Sequence, residues 1–414
     1  MTPLSILFLA LLALVTAARL WLLWRQQAAV VANRARVPEE FAAEVPLDAH
    51  QKAADYTRAR VRIAVIEALL EAATALAITL GGGLALVDGY LRHYGLAGVP
   101  LGIAVVAVIA TAASLIAWPL SLYRTFVIEA RFGFNRTTWK LYLADFAKGI
   151  ALAVLLGVPL LAVILWLMRQ GGAAWWLYAW GIWFGFNLVL VWAYPAFIAP
   201  WFNRFVPLTD AALKARVESI IARCGFSSRG VFVMDGSRRS SHGNAYFTGF
   251  GSNKRIVIFD TLIERLSPEQ VEAVLAHELG HYRLHHIRQR LVLTALTSLA
   301  GLACLGWLYA NPVFFSALGA ATPSAHAALV LFSIVAPLLT YWLSPLASLW
   351  SRRHEFQADA FASGYVAAQA LAQALVKLYK DNATTLTPDR IYSSFYDSHP
   401  PARTRIARLR RVAP

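Results

Sequence analysis

The chain has 414 residues, of which 58% are hydrophobic, and a formal net charge of +15. Soluble domains are usually about 45–50% apolar, so this composition, with its mean hydropathy of +0.53, excludes an ordinary soluble domain. The charge suits anionic lipid at a membrane surface, whereas no zinc-finger spacing or aromatic–basic RNA motif indicates nucleic-acid binding. We therefore expect the lipid bilayer, and no nucleic acid, as a partner.

Long apolar runs predict a mainly α, polytopic membrane protein. Crossing a bilayer takes about 20 apolar residues, and the predicted spans are 3–24, 63–91, 98–123, 149–168, 173–202, 291–310 and 325–350. The second span contains Glu67 and Glu71, four residues apart on one helical face, and such residues are typical of a polar chamber wall or a transport pathway. The first span is long for a signal peptide and lacks a clear cleavage site, so we expect it to be retained.

Lysine and arginine are unevenly distributed among the connections between the spans. The connections after spans 1 and 3 are rich in both, whereas those after spans 2 and 4 have only Arg92 and Arg169, respectively. Because basic connections face the cytoplasm, we predict an N-terminus outside and cytoplasmic segments 203–290 and 351–414, with the C-terminus inside. The compact, alanine-rich sequence suggests a bacterial inner (cell) membrane; in a eukaryote the membrane would be that of the endoplasmic reticulum.

A helix with a metal-binding motif is predicted at the end of the first polar segment. Ser267 is the expected N-cap, Pro268 the first helical residue and Gln270 the partner in a capping box. Apolar residues then recur at helical spacing, which places His277 and His281 on one face of the helix. Two imidazoles at this spacing can bind one zinc ion.

The glutamate inside this motif has a separate predicted role. In the pattern H-E-x-x-H, Glu278 acts as general base toward the attacking water and is not a ligand. His285 and His286 are predicted to continue the same helix. Although His285 lies four residues after His281, we interpret both as interfacial residues at the start of span 6.

Zinc in a catalytic site needs a third protein ligand, with a fourth position left open. If spans 6 and 7 are helices of equal rise, residues equidistant from the centre of their connection share a height. Reflecting His281 through that centre gives position 355 or 356, and position 355 is Glu355. Asp359, four residues later, can hydrogen-bond the outer nitrogen of a ligand histidine. Alternatively, the two carboxylates pair with Arg352 and Arg353; the nearby H-E-x-x-H motif favours ligation.

Short β runs are predicted in the segment that precedes this helix. They cover 230–235, 244–250 and 255–260, and Gly251–Lys254 is expected to form a hairpin turn. Proteases often bind a peptide as an added strand. We expect substrate binding at one strand edge, formed by Asn244, Ala245, Tyr246 and Phe247.

Several sequence blocks, taken together, resemble those of one protein family. H-E-L-G-H on a helix is followed by a membrane hairpin and then by E-F-x-A-D. Further blocks are "YRTFVIEARFGFNRTTWKLYLAD", "YPAFIAPWFNRFVPL", "GNAYFTGFGSNKRIVIFDTLI" and "YDSHPPARTRIARL". Together with seven spans, they resemble the integral-membrane CAAX prenyl endopeptidases, a-factor-converting zinc metalloproteases of the gluzincin type. The resemblance covers nearly the whole chain and implies an α-barrel of seven helices around a water-filled chamber, with the zinc site at its cytoplasmic cap.

The resemblance also implies roles for three further residues. Asn244 and His399 should lie at the zinc and stabilise the tetrahedral intermediate, and Arg405 should orient a carboxylate. By residue type alone, Asn244 is more typical of a turn residue after Gly243, and His399 of a loop residue before two prolines.

These patterns predict a membrane zinc metalloendopeptidase with one zinc ion and a peptide or protein substrate, prenylated or not. Residues 1–202 would form a five-span membrane domain with cytoplasmic loops. Residues 203–414 would form the metalloprotease domain, with a small β-sheet and spans 6 and 7 (291–310 and 325–350). The resemblance implies removal of the C-terminal tripeptide of prenylated C-a-a-X proteins. Two alternatives remain open: a stress-type quality-control metalloprotease and, on account of the acidic residues in span 2, a zinc-containing transporter.

Overall fold

The computed structural model describes residues 1–226, 230–248 and 255–412. The predicted turn Gly251–Lys254 lies outside the described residues. The first helices are α1 (Pro3–Ala32), α2 (Leu47–Ile78), α3 (Gly83–His93), α4 (Gly98–Tyr123), α5 (Trp139–Leu152), α6 (Val158–Gln170), α7 (Trp175–Ala193) and α8 (Ala199–Phe202). The later helices are α9 (Ala211–Arg223), α10 (Asp260–Arg265), α11 (Pro268–Arg283), α12 (His286–Tyr309), α13 (Pro312–Ala317), α14 (Ala325–Thr340), α15 (Ser344–Ser363), α16 (Ala368–Asp381), α17 (Arg390–Tyr396) and α18 (Ala402–Val412).

Within the described residues, six helical segments are long and apolar enough to cross a membrane, and a bent pair of helices adds a seventh if the pair is taken as one span. The six are Pro3–Ala32, Gly98–Glu129, Trp139–Gln170, Gly172–Phe202, His286–Tyr309 and Ala325–Ser363. Each predicted span therefore falls on a segment of this set or on the bent pair, and a polytopic, mainly helical membrane fold is confirmed.

The second predicted span, 63–91, is not one continuous helix. α2 and α3 meet at an angle of 47°. Three consecutive glycines follow Leu80, and Gly82 has a φ of 79°, in the left-handed region that glycine adopts without strain. The hydrophobic pattern indicates the length of this segment correctly, but the glycine run divides the segment into two helices.

A small sheet lies in the second half of the chain. Its strands are β1 (Phe205–Pro207), β2 (Val231–Met234), β3 (Ala245–Thr248) and β4 (Arg255–Phe259), in the spatial order β1-β2-β4-β3. β2 and β4 are parallel, whereas β1 and β3 pair antiparallel with β2 and β4, respectively. The three predicted β runs are thus strands, with β3 at an edge; β1, a short strand that ends in proline, was not predicted.

The buried apolar residues form two main clusters. One joins the sheet to α9, α11, α16 and α18 and includes Val217, Ile256 and Leu275. The other joins α1, α4, α6 and α14 in the membrane half and includes Leu101 and Leu331. The site described below borders the first cluster, which contributes Ala245, Leu262 and Val274 to its lining.

The two ends of α1 show which side of the helical bundle bears this site. At its beginning, the Ser5 hydroxyl donates to the Ala317 carbonyl in the connection between spans 6 and 7, at 2.7 Å. Near its other end, the Gln26 side chain accepts from the Asp389 backbone N–H at 2.8 Å. Gln26 also lines the cavity of the site, so the N-terminus and the site are at opposite ends of α1.

Candidate active site

The start of α11 is fixed by its N-terminal cap. The Ser267 side chain accepts from the Gln270 backbone N–H, and the Gln270 side chain accepts in return from the Ser267 N–H at 3.1 Å. The predicted capping box is therefore confirmed. It sets the phase of the helix, so that His277 and His281 project toward α15 while Val271 and Leu275 pack into the core.

A glycine lets α11 approach α15 closely. A Cβ atom at Gly280 would lie 3.0 Å from the Cα of Ala358 and 3.1 Å from its carbonyl oxygen. Both distances are tighter than nine in ten real contacts of a Cβ atom, so a side chain here would push the helices apart. The close approach brings the histidines of α11 within reach of a carboxylate on α15.

Three side chains offer ligand atoms to one point. The Nε2 atoms of His277 and His281 are 3.2 Å apart. The Glu355 carboxylate lies 3.2 Å from His281 Nε2 through Oε1 and 3.5 Å from His277 Nε2 through Oε2. Tetrahedral zinc, with bonds of about 2.0–2.1 Å, places its ligand atoms about 3.4 Å apart. These distances match the edges of such a tetrahedron.

The Glu355 carboxylate gives a second reason to expect a cation. Its Oε2 atom is buried without a hydrogen-bond partner, and an unpaired buried acceptor is costly. A cation between the three side chains would remove that cost. The donor set, two imidazoles and one carboxylate, is also the set that catalytic zinc sites use.

A carboxylate and an arginine lie behind His277. Asp359 Oδ1 is 2.9 Å from His277 Nδ1. Arg405, only 4% exposed, donates to both oxygens of Asp359 at 2.7 Å, and its Nη1 lies 3.4 Å from Glu355. The structure therefore brings Asp359 and Arg405 together beside the ligand cluster, in the positions expected from the sequence; their roles stay predictions.

Glu278 lies on the cavity side of α11. Removal from bulk water raises the pKa of Glu278 above its usual value, and the neighbouring His277 and His281 oppose that rise. A carboxylate with a raised pKa accepts a proton more readily than an ordinary glutamate. The side chain faces the cavity, where a substrate and a water can reach it.

Asn244 and His399 face the same cavity, which has a volume of about 450 Å³. His399 Nε2 is 3.5 Å from Glu355 Oε2, although most of its side chain is accessible from the cavity. The Asn244 side-chain oxygen accepts from the Ala245 N–H at 2.8 Å, which directs its NH₂ group to other acceptors. Both residues can therefore donate into the cavity.

The predicted binding edge reaches the cavity only in part. Asn244 and Ala245 line it. The Tyr246 side chain points away from the cavity, toward Met234 of β2. Phe247 packs against the apolar core. In the described part of the chain, β3 pairs with β4 alone, so its outer edge is where a peptide backbone could add.

The interpretation of His285 and His286 as continuing the helix is wrong. α11 ends at Arg283, and His285 has a φ of 59°, in the left-handed region. This turn sends His286 inward, where it is 1% exposed and its Nδ1 lies 3.0 Å from His281 Nδ1. His286 does stand at the start of span 6, as the first residue of α12, but it is buried and contacts a predicted ligand.

His354, which the sequence left unassigned, belongs to the same cluster. Its ring stacks on that of His286 with centroids 3.9 Å apart. The signal available in the sequence was histidine density, since four of the ten histidines lie between His277 and His286, but His354 lies outside that run.

A membrane loop holds the segment that leads to Asn244. Ser241 N–H donates to the Phe134 carbonyl and Arg136 N–H to the Arg239 carbonyl, both at 3.1 Å. His242 stacks on Phe134. The block 123–145 thus positions the start of the predicted binding edge, a role that its sequence did not reveal.

Comparison with protein families gives two adjoining matches. Residues 26–204 match the family described as CAAX prenyl protease N-terminal, five membrane helices. Residues 207–413 match peptidase family M48. The two matches together span most of the chain.

Individual proteins are similar over most of their length. CAAX prenyl protease 1 homolog of Oryza sativa subsp. japonica is 40% identical over 292 residues, which are 70% of this chain and 69% of that protein. CAAX prenyl protease 1 of Saccharomyces cerevisiae is 34% identical over 335 residues, 77% of this chain and 74% of that protein. The crystal structure of S. mikatae Ste24p superposes with a TM-score of 0.91 at 30% identity and covers 99% of both chains.

Proposed function

This chain belongs to peptidase family M48, as a membrane-embedded metallopeptidase of the CAAX prenyl protease type, and we propose that it cleaves prenylated proteins that end in C-a-a-X. Cleavage removes the last three residues. The metal is one zinc ion, held by His277, His281 and Glu355. The observation that supports this most directly is the triangle of ligand atoms from these three side chains, 3.2–3.5 Å apart, in which the buried Glu355 Oε2 has no hydrogen-bond partner.

When bound, a zinc ion supplies Lewis-acid polarisation of the scissile carbonyl and eases deprotonation of the attacking water. Glu278 takes the proton of that water and delivers it to the leaving amine. Its position beside both ligand histidines and its raised pKa support this role. General acid–base catalysis of this kind contributes about 10²–10⁴-fold to a rate.

Two donors stabilise the charge that develops on the carbonyl oxygen. His399, beside Glu355, and the NH₂ group of Asn244 donate from two walls of the cavity. An oxyanion donor contributes about 3 kcal/mol to such a transition state. Asp359 orients His277 through Nδ1, and Arg405 holds Asp359 in place.

The substrate backbone adds to the outer edge of β3, from Asn244 to Phe247. Main-chain hydrogen bonds along that edge set the register, and Asn244 and Ala245 deliver the scissile bond to the cavity. The side chains of Tyr246 and Phe247 face other parts of the protein, so these two residues bind through their backbones.

A second cavity supports a prenylated substrate rather than the substrates of a stress-type quality-control protease. It has a volume of about 670 Å³ and lies among α1, α2, α4 and α14, with a mainly aliphatic lining. Tyr396 lines both this cavity and the one beside the zinc ligands. An isoprenoid chain attached near a scissile bond at Glu278 can enter the apolar space.

The acidic residues of the second span are paired on the wall of this cavity. Glu67 pairs with Arg124, and Glu71 pairs with Arg19 at 2.5 Å. The charges of both glutamates are therefore balanced by arginines in the cavity wall. Membership in a peptidase family gives no support to the transporter interpretation.

We place the active site and the C-terminus in the cytoplasm and the N-terminus outside, in a bacterial inner membrane, with domains at 1–202 and 203–414. The arginine-rich connection after α1 supports this orientation. Reporter fusions after Arg62 and within 203–290 should both report cytoplasm. An external signal from 203–290 would contradict the orientation.

The deciding experiment uses purified full-length protein in nanodiscs with a fluorogenic C-a-a-X peptide, farnesylated or not. We expect chelator-sensitive cleavage that zinc restores, and a clear preference for the farnesylated peptide. Equal cleavage of both peptides would favour the quality-control alternative. Cleavage that chelators leave unchanged would contradict the metal site.

A further inference from the structure

The two histidines among the proposed zinc ligands differ in what lies behind them. Asp359 accepts from the outer nitrogen of His277, at 2.9 Å. The outer nitrogen of His281 instead faces another imidazole, with His281 Nδ1 and His286 Nδ1 3.0 Å apart. Within the described residues, this is the hydrogen-bond partner of His281 on the side away from the cluster.

The direction of this hydrogen bond follows from metal binding. An imidazole that ligates through Nε2 keeps its proton on Nδ1, so His281 donates. His286 must then accept at Nδ1 and have its own proton on Nε2. Gln357 Oε1 lies 3.0 Å from His286 Nε2 and accepts that proton. Every atom in the chain His281–His286–Gln357 thus has a compatible role.

The orientation of His286 is itself fixed by packing. Its ring is 1% exposed and lies parallel to that of His354, with centroids 3.9 Å apart and an interplanar angle of 5°. His354 is 2% exposed, and its Nε2 lies 3.0 Å from Gln289 Oε1. An acceptor held this firmly can fix both the tautomer and the rotation of a ligand.

We propose that His286 is a positioning residue that holds His281 in the tautomer and orientation that bind zinc through Nε2. The proposal rests on the metal site described under the proposed function. The left-handed turn at His285 makes this arrangement possible, because a continuous helix would have sent His286 outward. His286 then orients His281 as a neutral acceptor, and Asp359 orients His277 as a carboxylate acceptor.

The test compares three substitutions that differ in where they place an acceptor. In His286→Asn, the amide oxygen stands where Nδ1 stood, since both atoms are bonded to Cγ. In His286→Gln, the oxygen is one bond farther, toward Gln357. His286→Phe keeps a ring that stacks on His354 but has no acceptor. His285→Asn is the neighbouring control, because asparagine tolerates the left-handed backbone.

Zinc dissociation constants are measured by chelator competition on the full-length protein, and thermal unfolding is measured on the metal-free forms. We expect His286→Phe and His286→Gln to bind zinc about 10–100-fold more weakly. His286→Asn and His285→Asn should stay within about threefold of the wild type. The metal-free variants should unfold at the wild-type temperature, since a purely structural role would lower it.

Wild-type affinity in His286→Phe, or no rescue by His286→Asn, would overturn the role of His286. A further variant, His281→Ala, separates this failure from failure of the proposed function. If His281→Ala loses zinc while His286→Phe retains it, only the positioning inference fails. If His281→Ala also retains zinc at wild-type affinity, the metal site itself is misassigned.

Discussion

The two cavities of this protein are close together but chemically different. The one beside the zinc ligands has titratable and amide groups in its lining, mainly from the second half of the chain and including Glu278, His399 and Asn244. The one among the membrane helices is mainly aliphatic, with its charges paired as Arg19–Glu71 and Arg124–Glu67. The difference indicates that bond cleavage and recognition of a lipid chain use separate sets of residues, so substitutions should affect them separately.

The largest effect on turnover without loss of zinc should come from Glu278→Gln. The amide cannot take a proton from water, so turnover should fall about 10²–10⁴-fold. Zinc content should stay at the wild-type level, because Glu278 is not a ligand. Steady-state kinetics and elemental analysis measure the two quantities, and an active Glu278→Gln enzyme would remove Glu278 from the mechanism.

Glu355→Ala and His277→Ala should lose both zinc and turnover. Each substitution removes one of the three proposed protein ligands, and catalytic zinc sites need three. Elemental analysis after dialysis checks this, with Glu278→Gln as the control that loses turnover alone. Full zinc occupancy in Glu355→Ala would exclude this residue from the site.

Asp359→Asn should have a smaller effect on the same cavity. The neutral amide is a weaker acceptor for His277 Nδ1 and a weaker partner for Arg405. We expect zinc affinity to fall about 10–100-fold, as is typical for partners behind a ligand. Chelator competition measures it; a loss as complete as in Glu355→Ala would indicate that Asp359 is a ligand itself.

The smallest effect should come from the apolar cavity, with Ala113→Phe. Ala113 lines this cavity, and a phenyl ring there would occupy space meant for an isoprenoid chain. We expect KM for a farnesylated peptide to rise roughly tenfold, with cleavage of the unprenylated peptide unchanged. Ala112→Phe, on the same helix but exposed, is the matched control. Equal effects on both peptides would argue against this site for the lipid chain.

Much of the fold could be predicted from the sequence because bilayers impose long apolar runs. The cap at Ser267 and the spacing of His277 and His281 likewise depend on local rules. Glu355 was located by assuming uniform helices through spans 6 and 7. Its placement beside His281 agrees with that estimate, although α11 in fact ends at Arg283, before α12 begins.

Other features depend on tertiary structure and could not be predicted. The left-handed backbone at His285 leaves no trace in the hydrophobic pattern, and without it the inward position of His286 has no basis. The contact between Phe134 and Ser241 joins residues that are far apart in sequence. Periodicity describes one element at a time and therefore misses both.

The contribution of both α1 and α18 to one cavity has a consequence for biosynthesis. Gln26, in the first span, and Arg405, in the last helix, line the same cavity. A ribosome-bound chain that has released α1 through α17 already contains His277, His281 and Glu355 but not the arginine that holds Asp359. Proteolytic competence should therefore arise only after α18 has left the ribosome and packed against α15 and α16.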